Sequence, residues 1–120
     1  MSDKLCMFAG QGAQFPGMGK DFADDAEIAA LFARANEVIG FDIASLCFEG
    51  PAEELTKSNI CQPAIFAVSI AAFKAFQKKY PGVNFKVAAG LSLGEWSALH
   101  IAGVLDFDSA VKVLEARGRF

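Results

Sequence analysis

Several things are scarce in this 120-residue sequence, and each scarcity closes off a class of function. Cysteine is limited to Cys6, Cys47 and Cys61, an odd number at wide spacing, with no C-x-x-C and no histidine nearby. That argues against a metal site or a disulfide framework and fits a reducing cytoplasm. Long basic runs are missing and the formal net charge is -3, so nucleic acid is not an expected partner. No apolar run is read as reaching membrane-spanning length. The opening MSDKLCMFAGQG carries an acid, a base and too short an apolar stretch for a signal peptide. The expectation is therefore a soluble, cytoplasmic protein with no membrane partner. Histidine occurs once, at His100.

Apolar residues are plentiful: 53% of the chain is hydrophobic and twelve residues are phenylalanine, which excludes disorder. The short run at residues 4–8 (KLCMF), followed by glycine, reads as a buried first strand. After it come four glycines within residues 10–19, a loop whose backbone passes close to something. This loop is either a flexible turn or a partner for a site elsewhere, and glycine content alone leaves both open. It is no phosphate-binding loop, since Gly19-Lys20 is followed by Asp21.

Spacing of three and four between Ile28, Leu31, Phe32, Ala35, Val38 and Ile39 predicts an amphipathic helix over residues 25–39, ended by Gly40. Asp42 is placed to cap a short helix over 43–48, and Pro51 to open a turn over 52–55. Gln62-Pro63 reads as the start of a helix that is apolar nearly all round through residue 76. Gln62 then either caps this helix or lines a site, and capping is the simpler reading. Lys74, Lys78 and Lys79 read most simply as its solvated end, with steering of an acidic carrier as the alternative. Asp106 or Asp108 caps a last helix that runs to Arg117. Strand and helix alternate, the pattern of a parallel α/β sheet. Two strands are too few for one, so either the sheet is completed by residues this chain lacks or the piece cannot stand alone.

The chemistry concentrates in residues 86–103, KVAAGLSLGEWSALHIAG. An apolar run meets Gly90-Leu91-Ser92-Leu93-Gly94 and then a helical segment, the context of a nucleophile elbow. Small residues on both sides of the serine permit a sharp strand-to-helix turn, because a side chain at either glycine would collide with the other leg. Ser92 would then be exposed at a helix start, where the Leu93 N–H is unpaired and negative charge is favoured. An oxyanion formed there has one donor ready. The N–H of Gln11, in the glycine-rich loop, is the candidate second donor. An accidental Gly-Ser turn is the alternative. His100 lies eight residues beyond Ser92, about 12 Å along a helix axis, so it is read as a packing residue and not as a base.

Taken together, Phe8-Ala9-Gly10-Gln11-Gly12-Ala13-Gln14 with Gly17-Met18-Gly19 resembles the F-x-G-Q-G-x-Q…G-M-G opening of the malonyl-CoA:acyl carrier protein transacylases. Gly50-Pro51-Ala52-Glu53-Glu54-Leu55 is similar to their G-P-x-E-x-L turn and Gln62-Pro63-Ala64 to their T-Q-P-A segment. Gly90-Leu91-Ser92-Leu93-Gly94-Glu95 with Ala102-Gly103 resembles their nucleophile region, and Arg117-Gly118 their closing R-G. The matches run in order along essentially the whole chain.

The resemblance implies a hydrolase-like parallel-sheet acyltransferase domain of which residues 1–120 form the N-terminal part, without the small ferredoxin-like subdomain and the C-terminal half. It implies ping-pong acyl transfer, with Ser92 as nucleophile and the N–H groups of Leu93 and Gln11 as oxyanion donors. Arg117 becomes the clamp for the malonyl carboxylate. On the residues alone it reads as a cation at a helix C-terminus. Gly10 and Gln62 join the substrate-binding set. The implied partners are malonyl-CoA and acyl carrier protein. No cofactor or metal is expected, coenzyme A entering as part of the substrate. Two departures stand out: Leu91 occupies the family's histidine position before the serine, and the family's downstream base histidine has no counterpart here. A serine esterase or thioesterase using the same turn, or a truncated non-catalytic fragment, are the rival readings.

Overall fold

The computed structural model describes residues 4–119; residues 1–3, part of the stretch read above against a signal peptide, lie outside them. Strand β1 (Leu5–Phe8) leads into the glycine-rich loop, which contains a short 3-10 turn at Lys20–Phe22. Four helices follow: α1 (Ala26–Ile39), α2 (Ile43–Glu49), α3 (Ala52–Leu55) and α4 (Ser58–Lys79). Strand β2 (Val87–Gly90), α5 (Leu93–Ile101) and α6 (Phe107–Arg119) complete the order.

Local chemistry accounts for most boundaries. The Asp25 carboxylate accepts from the N–H groups of Glu27 (2.9 Å) and Ile28 (3.2 Å) and so starts α1. Gly40 ends it with φ 82°. Asp42 caps α2 through the Ser45 N–H. Asp106 caps α6 through the Ser109 N–H at 2.7 Å. Asp108, the other candidate cap, instead forms a two-pronged pair with Arg34 of α1, with Arg34 Nε 3.0 Å from each carboxylate oxygen.

Helix α4 is the axis of the core. Its Phe66 and Ile70 are buried with Ile28 and Phe32 of α1, Ile43 and Cys47 of α2, Leu93 of α5, and Val111 and Leu114 of α6. An all-round apolar helix must be enclosed in this way. The expected start at Gln62-Pro63 is corrected: α4 begins at Ser58, and Pro63 lies inside it. One turn precedes the proline because Lys57 C=O accepts from the N–H groups of Ile60 and Cys61. Packing of Ser58 and Asn59 against Gly118 of α6 holds that turn in place. A second correction concerns length. The described residues include one helix, α4, that is long and apolar enough to cross a membrane by length and composition, with mean hydropathy 1.4. Most of its apolar side chains between Ile60 and Ala71 face the core, 56% of that window being buried inside the protein.

The strands pair in parallel, Leu5 opposite Val87 and Phe8 opposite Gly90. The mixed α/β order is as the sequence implies, but β1 is not buried. Leu5 (52%) and Met7 (75%) are exposed, while Cys6 and Phe8 on the opposite face are half-buried, the period-2 consequence of helices packed on one side only. The register brings the ends of both strands together, so the loop after β1 and the turn after β2 share one edge.

The basic cluster at the end of α4 is mostly neutralised. Lys78 pairs with Asp25 at 2.9 Å and Glu27 at 3.0 Å, Lys74 pairs with Glu27 at 3.5 Å, and Lys79 lies over the Tyr80 ring. Two of its three ammonium groups are therefore tied to the start of α1.

These pairings bear on acid stability. The Lys78 ammonium holds the Asp25 and Glu27 carboxyls below the usual carboxylate range, and the Arg34 guanidinium does the same for Asp108. Each group binds its proton less readily when folded, so its stabilisation is present above the unfolded pKa of about 4 and is lost as pH falls through the lower folded value. The thermal midpoint should fall on acidification through that range, and Asp108→Asn should flatten part of the fall. Parallel curves for the two proteins would refute the assignment.

Candidate active site

Strand β2 ends at Gly90 and α5 begins at Leu93, so two residues make the whole reversal. Ser92 absorbs it with φ 56° and ψ -113°, the one positive φ outside glycine among the described residues. Such a conformation costs about 1–3 kcal/mol and persists only where the surroundings fix it. The surroundings are backbone. A Cβ on Gly90 would lie 2.1 Å from the Gly94 carbonyl carbon. One on Gly94 would lie 2.4 Å from Phe8 O, so this second glycine makes room for β1 and not for the other leg of its own turn. Gly94 N–H donates to Leu91 O and Glu95 N–H to Ser92 O, each at 3.1 Å. Leu93 N–H, at the first position of α5, has no backbone acceptor among the described residues. Leu91 is 86% exposed at the tip, so the departure there leaves local packing untouched.

The glycine-rich loop lies against this turn. A Cβ on Gly10 would sit 3.2 Å from Leu91 O, and the next residue is Gln11. Helix α6 approaches from the other side and sets Arg117 on the serine, with Nη2 donating to Ser92 Oγ at 2.7 Å. Nη1 donates to Gln62 Oε1 at 3.2 Å. Gln62, almost fully buried, donates from Nε2 to Gln11 Oε1 across a long 3.5 Å. Gln11 Nε2 in turn donates to Ser58 Oγ at 3.2 Å. Ser92, Arg117, Gln62 and Gln11 thus form one hydrogen-bonded chain, with Gly10 and Leu93 beside it in sequence. Capping, the simpler reading of Gln62, is corrected: the helix starts four residues earlier, and the amide faces Arg117.

A guanidinium carries five N–H donors. Arg117 directs two to uncharged partners, and no carboxylate pairs with it among the described residues. The remaining donors are available for an anion beside Ser92. His100 is used elsewhere: its Nδ1 is 2.8 Å from Leu105 O, and its ring packs edge-on against Phe66 and Phe107. Among the described residues no group of three or more His, Cys, Asp or Glu is arranged to hold a metal ion. Ser97 Oγ is buried without a partner, and nothing in the structure explains it.

A family model described as acyl transferase domain matches residues 6–120. The chain belongs to the acyl transferase domain family. Its relatives include the malonyl CoA-acyl carrier protein transacylase of Bacillus subtilis, 44% identical over 119 residues, covering 98% of this chain and 30% of that protein. Among solved structures, the malonyl CoA-acyl carrier protein transacylase of Clostridium perfringens superposes with a TM-score of 0.89 at 41% identity, over 98% of this chain and 37% of that one. The PlMCAT malonyl-transacylase, solved with the type II PKS acyl-carrier protein AntF, gives 0.90 at 42% identity, over 98% and 38%. This acyl transferase domain spans about a third of the length of the curated relatives it matches.

Two residues of the site escaped the sequence reading. Gly118, noted only as part of a motif, lets α6 touch α4: a Cβ there would lie 2.3 Å from Ser58 O. Ser58, which lies between the turn over 52–55 and the helix expected from Gln62 and carries no reading of its own, ends the amide chain. Gly118→Ala should push the end of α6 off α4 and lower stability by about 1–3 kcal/mol, as overpacking does. Chemical denaturation measures this, and an unchanged midpoint would show that the contact is slack.

Proposed function

We propose that this domain carries the acyl-accepting half of a malonyl-CoA:acyl carrier protein transacylase. The observation that carries the reading is the 2.7 Å contact between Arg117 Nη2 and Ser92 Oγ on a strained strand-to-helix turn. A hydroxyl raised at the start of a helix, in the manner of a hydrolase nucleophile elbow, suits attack on a thioester carbonyl. The Ser92 oxygen bonds to the acyl carbon and gives up its proton to solvent, from which the departing coenzyme A sulfur regains one. The tetrahedral oxyanion is held by the N–H groups of Leu93 and Gln11, and the coenzyme A thiolate leaves. The pantetheine thiol of acyl carrier protein then attacks the malonyl-serine and regenerates Ser92. Arg117 clamps the free carboxylate through its remaining donors, a task suited to a planar fork of fixed charge. Gln62 orients that fork, and Gly10 gives the backbone room to bring Gln11 to the turn. Coenzyme A enters as substrate, and no separate cofactor is needed. The relatives' names support malonyl-CoA and acyl carrier protein as partners, and three unpaired thiols suit a cytoplasmic setting.

A base is the missing part, since the one histidine of the chain is engaged with Leu105 and two phenylalanines. Loss of a base removes several powers of ten in rate while an oxyanion site preserves a residue of activity. Incubation with malonyl-CoA, read by intact mass, should give a slow adduct that Ser92→Ala abolishes. Acetyl-CoA should react more slowly, and Arg117→Ala should reduce that preference by about tenfold or more, the scale of a hydrogen bond to a charged group. If Arg117→Ala treats both thioesters as the unmutated protein does, a hydrolase or esterase takes precedence. Complete absence of adduct favours the non-catalytic reading.

A further inference from the structure

An arginine can donate hydrogen bonds but cannot accept them, and that fixes the direction of every link behind Arg117. Gln62 must turn its carbonyl oxygen toward the guanidinium, as it does at 3.2 Å. Its NH2 group then faces Gln11, which must answer with its own carbonyl oxygen, and it does so at 3.5 Å. Gln11 is left with an NH2 group that needs an acceptor, and the acceptor is Ser58 Oγ at 3.2 Å. Were either amide to flip, two donors would face each other somewhere along the chain.

Ser58 touches the same apparatus from a second direction. Its backbone carbonyl lies against Gly118, where a Cβ would come within 2.3 Å, and Gly118 is the neighbour of Arg117. The first turn of α4 therefore meets the clamp twice, once through the relay of side chains and once through the backbone of α6. Only the relay depends on the hydroxyl, and this allows the two roles to be separated.

We infer that Ser58 is a positioning residue for the Arg117 guanidinium, its hydroxyl holding the far end of the Gln11–Gln62 relay whose direction Arg117 fixes, and hence supporting the selectivity for acyl groups that bear a carboxylate. The inference rests on the carboxylate-clamp reading of Arg117 and adds a residue to it. Ser58 touches no substrate. Without its hydroxyl the exposed Gln11 amide loses its protein acceptor, Gln62 loses a fixed partner on that side, and the fork of Arg117 is less firmly aimed. Neutral acyl groups, which make no use of that fork, are indifferent to the change.

Threonine and valine at position 58 have nearly the same shape and differ in whether an oxygen is present. The rate of Ser92 adduct formation from malonyl-CoA and from acetyl-CoA, followed by intact mass over a range of concentrations, gives a half-saturation and a limiting rate for each. Ser58→Thr should keep the malonyl preference. Ser58→Val and Ser58→Ala should reduce it about fivefold, the scale of one hydrogen bond, by raising half-saturation for malonyl-CoA alone. Thermal midpoints of the Thr and Val proteins check that folding is affected equally. Equal behaviour of Thr and Val, or full preference in Ser58→Ala, overturns the role of Ser58 and leaves the clamp standing. An unmutated protein with no malonyl preference, or with no adduct at all, overturns the clamp and the relay together.

Discussion

Backbone contact without side chains is the constraint on which this structure depends. At Gly90, Gly94 and Gly118 an added Cβ would lie between 2.1 and 2.4 Å from main-chain atoms of another segment. The first two press β2, α5 and the end of β1 together around Ser92, and the third presses α6 onto α4. These approaches set where Ser92 and Arg117 stand, and the 2.7 Å hydrogen bond between them is their joint outcome. Side chains supply the chemistry here, but missing side chains supply the distances.

Helix α4 makes those approaches affordable. Its buried face joins α1, α2, α5 and α6 in one apolar cluster, and burial of each large aliphatic or aromatic side chain contributes about 1.5–3 kcal/mol. A single strained residue costing about 1–3 kcal/mol is small beside that sum. The same helix delivers Ser58 and Gln62 from its first turns, where a helix is least enclosed by its own bonding. Core and site adjoin on one element, whose buried residues begin at Ile60 and include Gln62, so the relay to Arg117 rests directly on the packed core. The Arg34–Asp108 pair adds a tie at the start of α6, fixing that helix to α1 far from its functional end.

Much of this was legible in the residues. Helices α1 and α2 follow from spacing and from Asp25, Gly40 and Asp42, all local signals. The turn at Ser92 was readable from two glycines and the change from strand-like to helical sequence. What escaped depended on tertiary contact. Pro63 reads as a helix start because that is its usual place, yet packing beneath Gly118 holds a further turn ahead of it. The burial of β1 was misjudged because an apolar strand sequence does not say how many of its faces are covered. Gln62 read as a cap for want of any sequence signal that an arginine 55 positions later would face it. Ser58 carried no signal at all, since an isolated serine before a helix has many uses.

Under the proposed acyl transfer, the electrostatics of the turn would favour one kind of substrate over another. Ser92 stands at the N-terminus of α5, where the unpaired N–H groups carry partial positive charge, and the Arg117 guanidinium adds a full one at hydrogen-bond distance. The helix end favours negative charge developing on an oxygen at the acyl carbon, whatever the acyl group is. Only the guanidinium can also gain from negative charge already present on the substrate, because its planar fork offers paired donors while the helix end offers single N–H groups aimed at the reacting oxygen. Under the proposed acyl transfer, discrimination and transition-state stabilisation would fall to different groups that share one hydroxyl. A change that weakens the fork should leave the oxyanion donors intact, which is why selectivity, more than rate, reports on the chain of amides behind Arg117.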